Sequence, residues 1–199
     1  MNIESFVEGY GLVAIFLLMF GESAFVPFPS EITMTFSGYL VGKGTLVFSE
    51  VVIVGFLGNM LGALFTYYLG RTKGYSWSLA AIRKWGQLFL IDEGEFKRVR
   101  AWFRKYGSPI VLVSRIMPVV RAFVSLPAGI SQMSLVKFTI LTSLGTFIWV
   151  FGLTYIGKSL GEQWLTIENY IGSLDRLVLL VLTAFMAFIL YKMIKRRLV

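Results

Sequence analysis

The chain has 199 residues, of which 56% are hydrophobic and only 15% are charged, and its net charge is +8 at pH 7. Soluble globular domains contain about 25% charged residues, so this composition indicates an integral membrane protein. Because the chain contains no Cys and no His, thiolate nucleophiles, imidazole bases and histidine-ligated metals are excluded. We therefore expect no enzyme activity, metal or cofactor. The basic residues are expected at the cytoplasmic ends of membrane helices, not on a nucleic-acid-binding surface.

The first apolar region, residues 11–42, is interrupted before it can cross a bilayer. The interruption consists of acidic, polar and helix-breaking residues: Gly21, Glu22, Pro27, Pro29, Ser30 and Glu31. Each flanking arm has about ten apolar residues, which rise ~15 Å as a helix, half of a bilayer. We predict a re-entrant hairpin, with a single kinked span over residues 10–28 as the alternative. The preceding residues 1–10 are acidic, unlike a secretory signal peptide.

Residues 46–69 are apolar and long enough for a transmembrane helix. Asn59, in the middle of this stretch, is predicted to form a hydrogen bond between helices, with a ligand contact as the alternative. The next segment, residues 71–107, contains nine Lys or Arg and three Asp or Glu. Its apolar residues recur at helical spacing among the basic ones. This pattern predicts a cytoplasmic amphipathic segment, either on an anionic membrane surface or as a plain positive anchor.

A second interrupted apolar region spans residues 108–133. Its interruption again combines charged and helix-breaking residues: Arg115, Pro118, Arg121, Pro127 and Gly129. Proline at membrane depth leaves carbonyl groups without partners, which is tolerated only inside protein or beside water. We therefore predict a second re-entrant hairpin. Residues 135–157 and 174–194 are predicted transmembrane helices, and residues 195–199 form a short basic tail.

The chain contains an internal repeat. Each unit opens with Tyr-Gly, at residues 10–11 and 106–107, and continues with a hairpin and a glycine-containing span. Gly58 and Gly145 hold matching places in the two spans. A hairpin returns to its own side and the span crosses once, so two units in series have opposite orientations. We predict an all-α polytopic integral membrane protein, built as one domain: an inverted repeat of re-entrant hairpin plus transmembrane helix, with an extra C-terminal transmembrane helix.

The distribution of basic residues predicts the orientation. Residues 71–107 and the C-terminal end contain thirteen basic residues, whereas the opposite side, residues 1–10, 42–50 and 158–176, contains three. By the positive-inside rule, the N-terminus lies outside and the C-terminus in the cytoplasm. A single kinked span in the first region would place one of these segments on the wrong side.

Five ionisable residues remain in or near the bilayer: Glu22, Glu31, Arg115, Arg121 and Lys137. Such residues rarely face lipid, so we expect them to face a cavity or one another. Two hairpin tips that enter from opposite leaflets meet at mid-depth, which predicts a site of two carboxylates and two guanidiniums. The alternative is a buried ion-pair network that only locks the hairpins together. Lys137, near the start of its span, either belongs to the site or extends to the interface.

Two motifs resemble signatures of the DedA family, also described as SNARE-associated or VTT-domain proteins. The second signature resembles the positions Arg115, Pro118, Arg121, Ala128, Gly129, Met133 and Phe138. The first is similar to Gly21-Glu22-Ser23 followed by Pro27, Pro29, Ser30 and Glu31. The glycine-rich spans match at Gly58, Gly62, Tyr68, Gly70, Arg71, Gly74, Gly145 and Trp149. The resemblance covers residues 8–161.

The resemblance implies a multi-pass protein of the bacterial inner membrane with two facing re-entrant hairpins. Members of the family are implicated in moving lipids between leaflets, including undecaprenyl phosphate and phosphatidylethanolamine, and in dependence on the proton-motive force. The short chain is most similar to the undecaprenyl-phosphate translocases. The partners that this implies are a lipid substrate, the bilayer and protons, and no nucleic acid.

The charges of the predicted site indicate a mechanism. Arg115 and Arg121 are expected to bind the substrate phosphate, because a guanidinium binds phosphate oxygens bidentately. Glu22 and Glu31 are expected to carry the coupling protons, because protonating both leaves the two arginines without counter-charges. Protons from outside would load the site, and their loss to the cytosol would release the head group inward, which recycles a carrier lipid for the cell envelope. The prolines, Ser30 and Gly129 are expected to shape the site.

Other functions stay open at this point. The same family includes candidates that flip or scramble phosphatidylethanolamine or other phospholipids. A proton-coupled antiporter for small cations or drugs would use the two glutamates, although two arginines in its site would disfavour a cation. A membrane enzyme of lipid head groups is disfavoured by the missing Cys, His and paired-Asp metal motif. A non-transporting assembly factor would need no charges at mid-depth.

Overall fold

The computed structural model describes residues 3–24, 29–80, 93–115 and 118–161. Regular secondary structure in these ranges is helical, as predicted. The ranges contain six α-helices: α1 (Ile3–Ser23), α2 (Ser30–Gly42), α3 (Phe48–Leu69), α4 (Glu93–Ser114), α5 (Pro118–Ile130) and α6 (Leu135–Leu160). A π-helical turn, Gly70–Gly74, continues α3. The predicted helix at residues 174–194, the tail at residues 195–199 and Pro27 lie outside the described residues.

Three helical stretches are long and apolar enough to cross a membrane: α1, the stretch Phe48–Ala80 and α6. The chain is therefore a multi-pass membrane protein. Its predicted spans at residues 46–69 and 135–157 correspond to α3 and α6. The first helix differs from the expectation, because α1 begins at Ile3, before the predicted start of the first hairpin.

Gly11 divides α1 into two pieces. Its backbone angles, φ 52° and ψ −128°, are non-helical and lie in a region that glycine adopts at little steric cost. The piece after Gly11 has about twelve residues, or ~18 Å, roughly half of a membrane crossing. The second arm, α2, has 13 residues and begins after Pro29, whose backbone is extended. Both arms thus have about the predicted length.

The second helical pair differs from the first in where it breaks. α4 continues without interruption through Gly107 and Pro109. α4 ends at Ser114, and α5 starts at Pro118, where the missing N–H of proline costs no helical hydrogen bond. The prediction that Pro127 and Gly129 also interrupt the helix is wrong, because α5 continues through both of them to Ile130.

The described part of the predicted amphipathic segment is helical, and its apolar residues are only partly buried: Phe103 is buried, whereas Val99 and Tyr106 are exposed. Most basic residues of α4 are also exposed, namely Lys97, Arg98, Arg104 and Lys105. Arg100 donates a hydrogen bond from Nε to the carbonyl oxygen of Ile130, at 2.9 Å, and so ties α4 to the end of α5. Its placement on a membrane surface stays a prediction.

α3 buries small and polar residues together with a few large apolar ones such as Val51 and Tyr67, and exposes many other large apolar residues. Gly58, Asn59 and Gly62 are buried, whereas Leu61 is 47% exposed and Phe65 is 49% exposed. This is the reverse of a helix in a water-soluble protein. It turns apolar side chains toward lipid and lets neighbouring helices approach the small residues.

The second arm of each half packs on the long helix of the other half. Gly38 of α2 lies against the backbone of α6, and Gly129 of α5 lies against the backbone of α3, so that a Cβ atom on either glycine would overlap main-chain atoms. The first arms pack on the long helix of their own half: Gly58 of α3 faces α1, and Gly145 of α6 faces Arg115 at the end of α4. Each long helix therefore contacts one arm from each half.

Two apolar cores result from this packing. One joins α1, α2 and α3 and includes Val150 of α6, and the other joins α3, α4 and α5 with Phe138 of α6. Gly145 and Trp149 lie between Phe138 and Val150 along α6. The buried charges contact α6 at these two residues.

Candidate functional site

Four charged residues from four different parts of the chain lie close together inside the protein. Glu22 lies near the end of α1, Glu31 in the first turn of α2, Arg121 inside α5, and Arg115 just after α4. Glu22, Arg115 and Arg121 are 6%, 2% and 4% exposed. The side chain of Glu31 is 19% exposed, so it is the most accessible of the four.

Arg121 contacts both glutamates. Its Nη2 atom donates a hydrogen bond to Oε1 of Glu22, and the same nitrogen lies 3.8 Å from Oε1 of Glu31. The guanidinium also lies 5.0 Å from the ring centroid of Trp149, a cation–π distance. Residues of the two predicted hairpins are therefore joined by an ion pair that connects α1, α2 and α5.

Arg115 has different surroundings. Its Nη2 atom donates a hydrogen bond to Oγ of Ser125, at 3.0 Å, and its guanidinium lies 5.8 Å from the ring centroid of Phe138. Among the described residues, no carboxylate lies within ion-pair distance of this guanidinium. The expected arrangement of two carboxylates around two arginines is thus only partly present, because both carboxylates contact Arg121.

The site lies near the middle of α6. The Cβ and Cγ atoms of Arg115 pack where a side chain on Gly145 would otherwise stand, and Arg121 lies over Trp149. Roughly ten residues, or ~15 Å of helix, separate this pair of positions from either end of α6. The site is therefore about half a bilayer thickness from both ends of a membrane-crossing helix.

Several polar atoms of the site have no hydrogen-bond partner. They are Oε2 of Glu22, Oε1 of Glu31, Nε of Arg115 and Nε of Arg121. Most buried polar groups in proteins are hydrogen-bonded, and a cluster of exceptions indicates a place for water or an ion. The two arginine Nε–H groups are free to donate hydrogen bonds to an anion. The two glutamate oxygens are free to bind protons or to accept hydrogen bonds from water.

The remaining predicted residues have clear positions. Ser30 is buried, and its Oγ accepts a hydrogen bond from Nε1 of Trp149 at 3.5 Å. Asn59 accepts a hydrogen bond from Thr146 of α6 at 3.2 Å, which is a contact between helices. Lys137 is exposed in the first turn of α6, away from the buried charges. In the described part of the chain, no group of three or more acidic residues is placed to hold a metal ion.

Two residues of the site were not identified from the residue pattern. Ser125 was missed, although its spacing of four from Arg121 places both on one face of α5. Trp149 was recognised only as a position that matches a family, and its contacts with Arg121 and Ser30 come from the structure. An aromatic residue seven positions after Thr142 and four after Gly145 could have been assigned to the same face of α6.

Comparisons with known proteins place the chain in a family. A sequence profile of the VTT domain matches residues 28–159. The chain is 36% identical to undecaprenyl phosphate transporter A of Bacillus subtilis (strain 168), over 85% of this chain and 82% of the relative. It is 31% identical to undecaprenyl phosphate transporter A of Staphylococcus aureus (strain NCTC 8325 / PS 47), over 90% and 89%.

A relative from Lactococcus lactis subsp. lactis (strain IL1403), 29% identical over 94% of this chain and 88% of its own length, is named alkaline phosphatase-like protein. No solved structure matches the chain. The profile match covers well over half of the chain, and the buried Glu and Arg residues lie at the positions that carry the resemblance. This chain belongs to the VTT-domain family, the DedA family of membrane proteins.

Proposed function

We propose that this protein transports a phosphate-bearing lipid, undecaprenyl phosphate, from the outer to the inner leaflet of the bacterial cell membrane, for recycling of the carrier lipid. The observation that carries the proposal is Arg115, a guanidinium that is 2% exposed and has no carboxylate within ion-pair distance among the described residues. A buried charge that has no opposite charge in direct contact is costly. A phosphate monoester supplies about −1.5 to −2 charges and several acceptor oxygens. The names of the Bacillus and Staphylococcus relatives support this substrate.

Arg121 supplies the second half of the phosphate site. In the described state its guanidinium is engaged by Glu22 and Glu31, so a phosphate must compete with two carboxylates for it. Arg115 therefore makes the first contact, and Arg121 adds its hydrogen bonds when the carboxylates withdraw. Two arginines are suited to a phosphate monoester because each can bind two of its oxygens.

Protons on Glu22 and Glu31 would control this competition. When both carboxylates are ionised, they neutralise the two arginines and repel a phosphate. When both are protonated, the pair of guanidiniums is left with two uncompensated positive charges that attract it. A proton supply from outside then favours loading, and loss of protons to the cytosol favours release inward. The proton-motive force would in this way set the direction of transport.

The proposed fold is an inverted repeat of two re-entrant hairpins, each followed by a membrane-crossing helix. Three observations support it: α2, α5 and the part of α1 after Gly11 are each about half a bilayer long, Arg115 and Arg121 contact the middle of α6, and each second arm packs on the long helix of the other half. The remaining arm, α4, is longer, at 22 residues, because it continues from the basic segment before residue 108. Such repeats place the transport site near the midplane of the membrane.

Cysteine labelling tests the proposed orientation. The chain has no native Cys, so single cysteines can be introduced at positions 5, 90, 165 and 197. We expect positions 5 and 165 to react with a membrane-impermeant maleimide in intact cells, and positions 90 and 197 to react only after permeabilisation. The charge asymmetry is the physical reason. An inside-labelled position 5 would contradict the inverted repeat.

Leaflet-resolved transport in proteoliposomes tests the function. Labelled undecaprenyl phosphate and labelled phosphatidylethanolamine are supplied to separate vesicles, with an inward proton gradient or none. We expect gradient-dependent movement of undecaprenyl phosphate, and loss of that movement in Arg115→Gln. Lys158→Gln is the matched control, because Lys158 is exposed at the far end of α6.

The substrate alternatives predict different results in the same vesicles. A phospholipid flippase or scramblase would move phosphatidylethanolamine at least as fast as undecaprenyl phosphate. A proton-coupled antiporter for cations would dissipate the proton gradient when a cation is added and would move neither lipid. Arg115 weighs against the antiporter, because an unpaired buried cation disfavours a second cation nearby.

A further inference from the structure

Thr142 of α6 has a buried hydroxyl without a hydrogen-bond partner. The residue is fully buried, at 0% exposure, and its Oγ1 atom neither donates nor accepts a hydrogen bond. A helical threonine normally has an easy partner in the carbonyl oxygen four residues earlier. In this protein Thr72 and Thr154 both use that partner, each at 2.7 Å. Thr142 does not use it, so its hydroxyl remains available to bind a ligand.

Helical spacing on α6 indicates that Thr142 lies beside Arg115. Gly145 faces the Cβ and Cγ atoms of Arg115, and Phe138 faces its guanidinium. Thr142 lies four residues after Phe138 and three before Gly145, hence on the same face of α6 and between the two contacts. The side chain of Arg115 runs along this face, and its Nε atom also lacks a partner.

A single ligand can satisfy both the Nε–H of Arg115 and the hydroxyl of Thr142. The Nε–H of Arg115 can only donate a hydrogen bond, and a threonine hydroxyl can donate one. One group with several acceptor oxygens, placed beside both, satisfies both donors at once. A phosphate fits this requirement, since each of its oxygens accepts hydrogen bonds and its charge balances the guanidinium.

We propose that Thr142 is a further phosphate ligand of the site: its hydroxyl and Nε of Arg115 donate hydrogen bonds to the oxygens of one bound phosphate. This inference rests on the proposed function, because it assumes that Arg115 receives the substrate phosphate. It adds a donor that carries no charge and that protons in the site do not alter. The phosphate is either the lipid head group or free inorganic phosphate, and the shared chemistry is the same.

The test uses two variants of Thr142 and one matched control in the full-length protein. Thr142→Val has nearly the same shape and removes only the hydroxyl, and Thr142→Ser keeps the hydroxyl. Thr154→Val is the control, because Thr154 is equally buried on α6 and its hydroxyl is already bonded to Val150. Binding of undecaprenyl phosphate, undecaprenol and inorganic phosphate is measured in detergent, together with the melting temperature.

We expect Thr142→Val to weaken binding of undecaprenyl phosphate about threefold to tenfold, which is the effect of one hydrogen bond. Its melting temperature should not fall, because the hydroxyl has no partner to lose. Thr142→Ser and Thr154→Val should bind like the wild type, and undecaprenol should bind equally weakly to all. If inorganic phosphate binds with the same dependence on Thr142, the ligand is free phosphate. If inorganic phosphate does not bind and undecaprenyl phosphate does, the ligand is the lipid head group.

Unchanged affinity of Thr142→Val in a protein whose wild type binds undecaprenyl phosphate would overturn the role of Thr142 and leave the proposed function intact. A fall in melting temperature that accompanies the weaker binding would assign Thr142 a structural role and also overturn the inference. A wild type that binds neither phosphate probe would instead refute the proposed function itself.

Discussion

Arg121 and Arg115 are similarly buried, but they differ in the carboxylates that contact them. Both guanidiniums are nearly inaccessible and lie over an aromatic ring of α6. Arg121 contacts two carboxylates, whereas Arg115 has a serine hydroxyl and no described carboxylate within ion-pair distance. The comparison separates two tasks that the residue type alone does not distinguish. Arg121 connects α1, α2 and α5, whereas Arg115 is the arginine that we propose to bind the phosphate.

The difference follows from where each arginine lies on its helices. Arg121 lies on α5 close to the end of α1 and the start of α2, so Glu22 and Glu31 can both reach it. Arg115 lies just after α4 and packs against Gly145, and its hydrogen bond goes to Ser125 on α5. Removing either arginine should therefore have different consequences for stability and for ligand binding.

The largest expected effect on stability is that of Arg121→Gln. This variant leaves Glu22 buried without its ion-pair partner, which costs about 3–5 kcal/mol. We expect a markedly lower melting temperature in detergent, measured by fluorescence-detected unfolding. Arg115→Gln should change the free energy of unfolding by only about 1 kcal/mol, the value of the lost hydrogen bond, while it abolishes binding of undecaprenyl phosphate. Equal destabilisation by both variants would contradict the separation of tasks.

Replacement of the two glutamates should also affect stability unequally, with the larger loss at Glu22. Glu22→Gln loses a charged hydrogen bond in a buried site, about 1.5–3 kcal/mol, whereas Glu31→Gln loses a longer and more exposed ion pair, about 1 kcal/mol or less. In both variants the site is more positive than in the wild type at every pH at which the wild-type carboxylate is ionised. We therefore expect wild-type affinity for undecaprenyl phosphate to fall as pH rises, and affinity of the variants to persist at alkaline pH with slower transport.

Melting curves and binding isotherms across pH on these two variants decide between a proton switch and a structural lock. Lower stability combined with an affinity that still falls as pH rises would mean that the glutamates only pair with Arg121. Glu50→Gln is a suitable control for removal of a carboxylate, because Glu50 is exposed at the start of α3.

Lysine replacements sharpen the comparison further. Arg115→Lys and Arg121→Lys keep the positive charge but lose the planar fork that binds two oxygens. We expect both variants to insert and to transport undecaprenyl phosphate more slowly, with the loss at Arg115 appearing mainly as weaker binding. Full transport by both variants in proteoliposomes would show that only charge is required.

The smallest expected effect is that of Trp149→Phe. The variant keeps an aromatic ring under Arg121 but weakens the cation–π contact, by about 0.5–1 kcal/mol, and removes the hydrogen bond to Ser30. We expect a small decrease in melting temperature and no change in affinity for the phosphate probe. A large loss of affinity would mean that Trp149 positions Arg121 for the ligand.

Much of the site was predictable because charges in a membrane chain are few. Glu22, Glu31, Arg115 and Arg121 stand out against an apolar background, and lipid leaves them no place except against one another. The position of the second break was predicted less well. Proline was treated as an interruption wherever it occurred, but Pro127 removes only one helical hydrogen bond, and α5 continues for three residues beyond it.

The sequence by itself determined that the protein is an all-helical membrane protein and which four charged residues are buried in it, because hydrophobicity, helix length and the cost of buried charge are local properties. Only the tertiary structure decided which carboxylate meets which guanidinium, and that Ser125 contacts Arg115 while Trp149 contacts Arg121. Those contacts join residues up to 99 positions apart. They depend on how α2 and α5 cross to the long helix of the other half, which no local pattern of residues specifies.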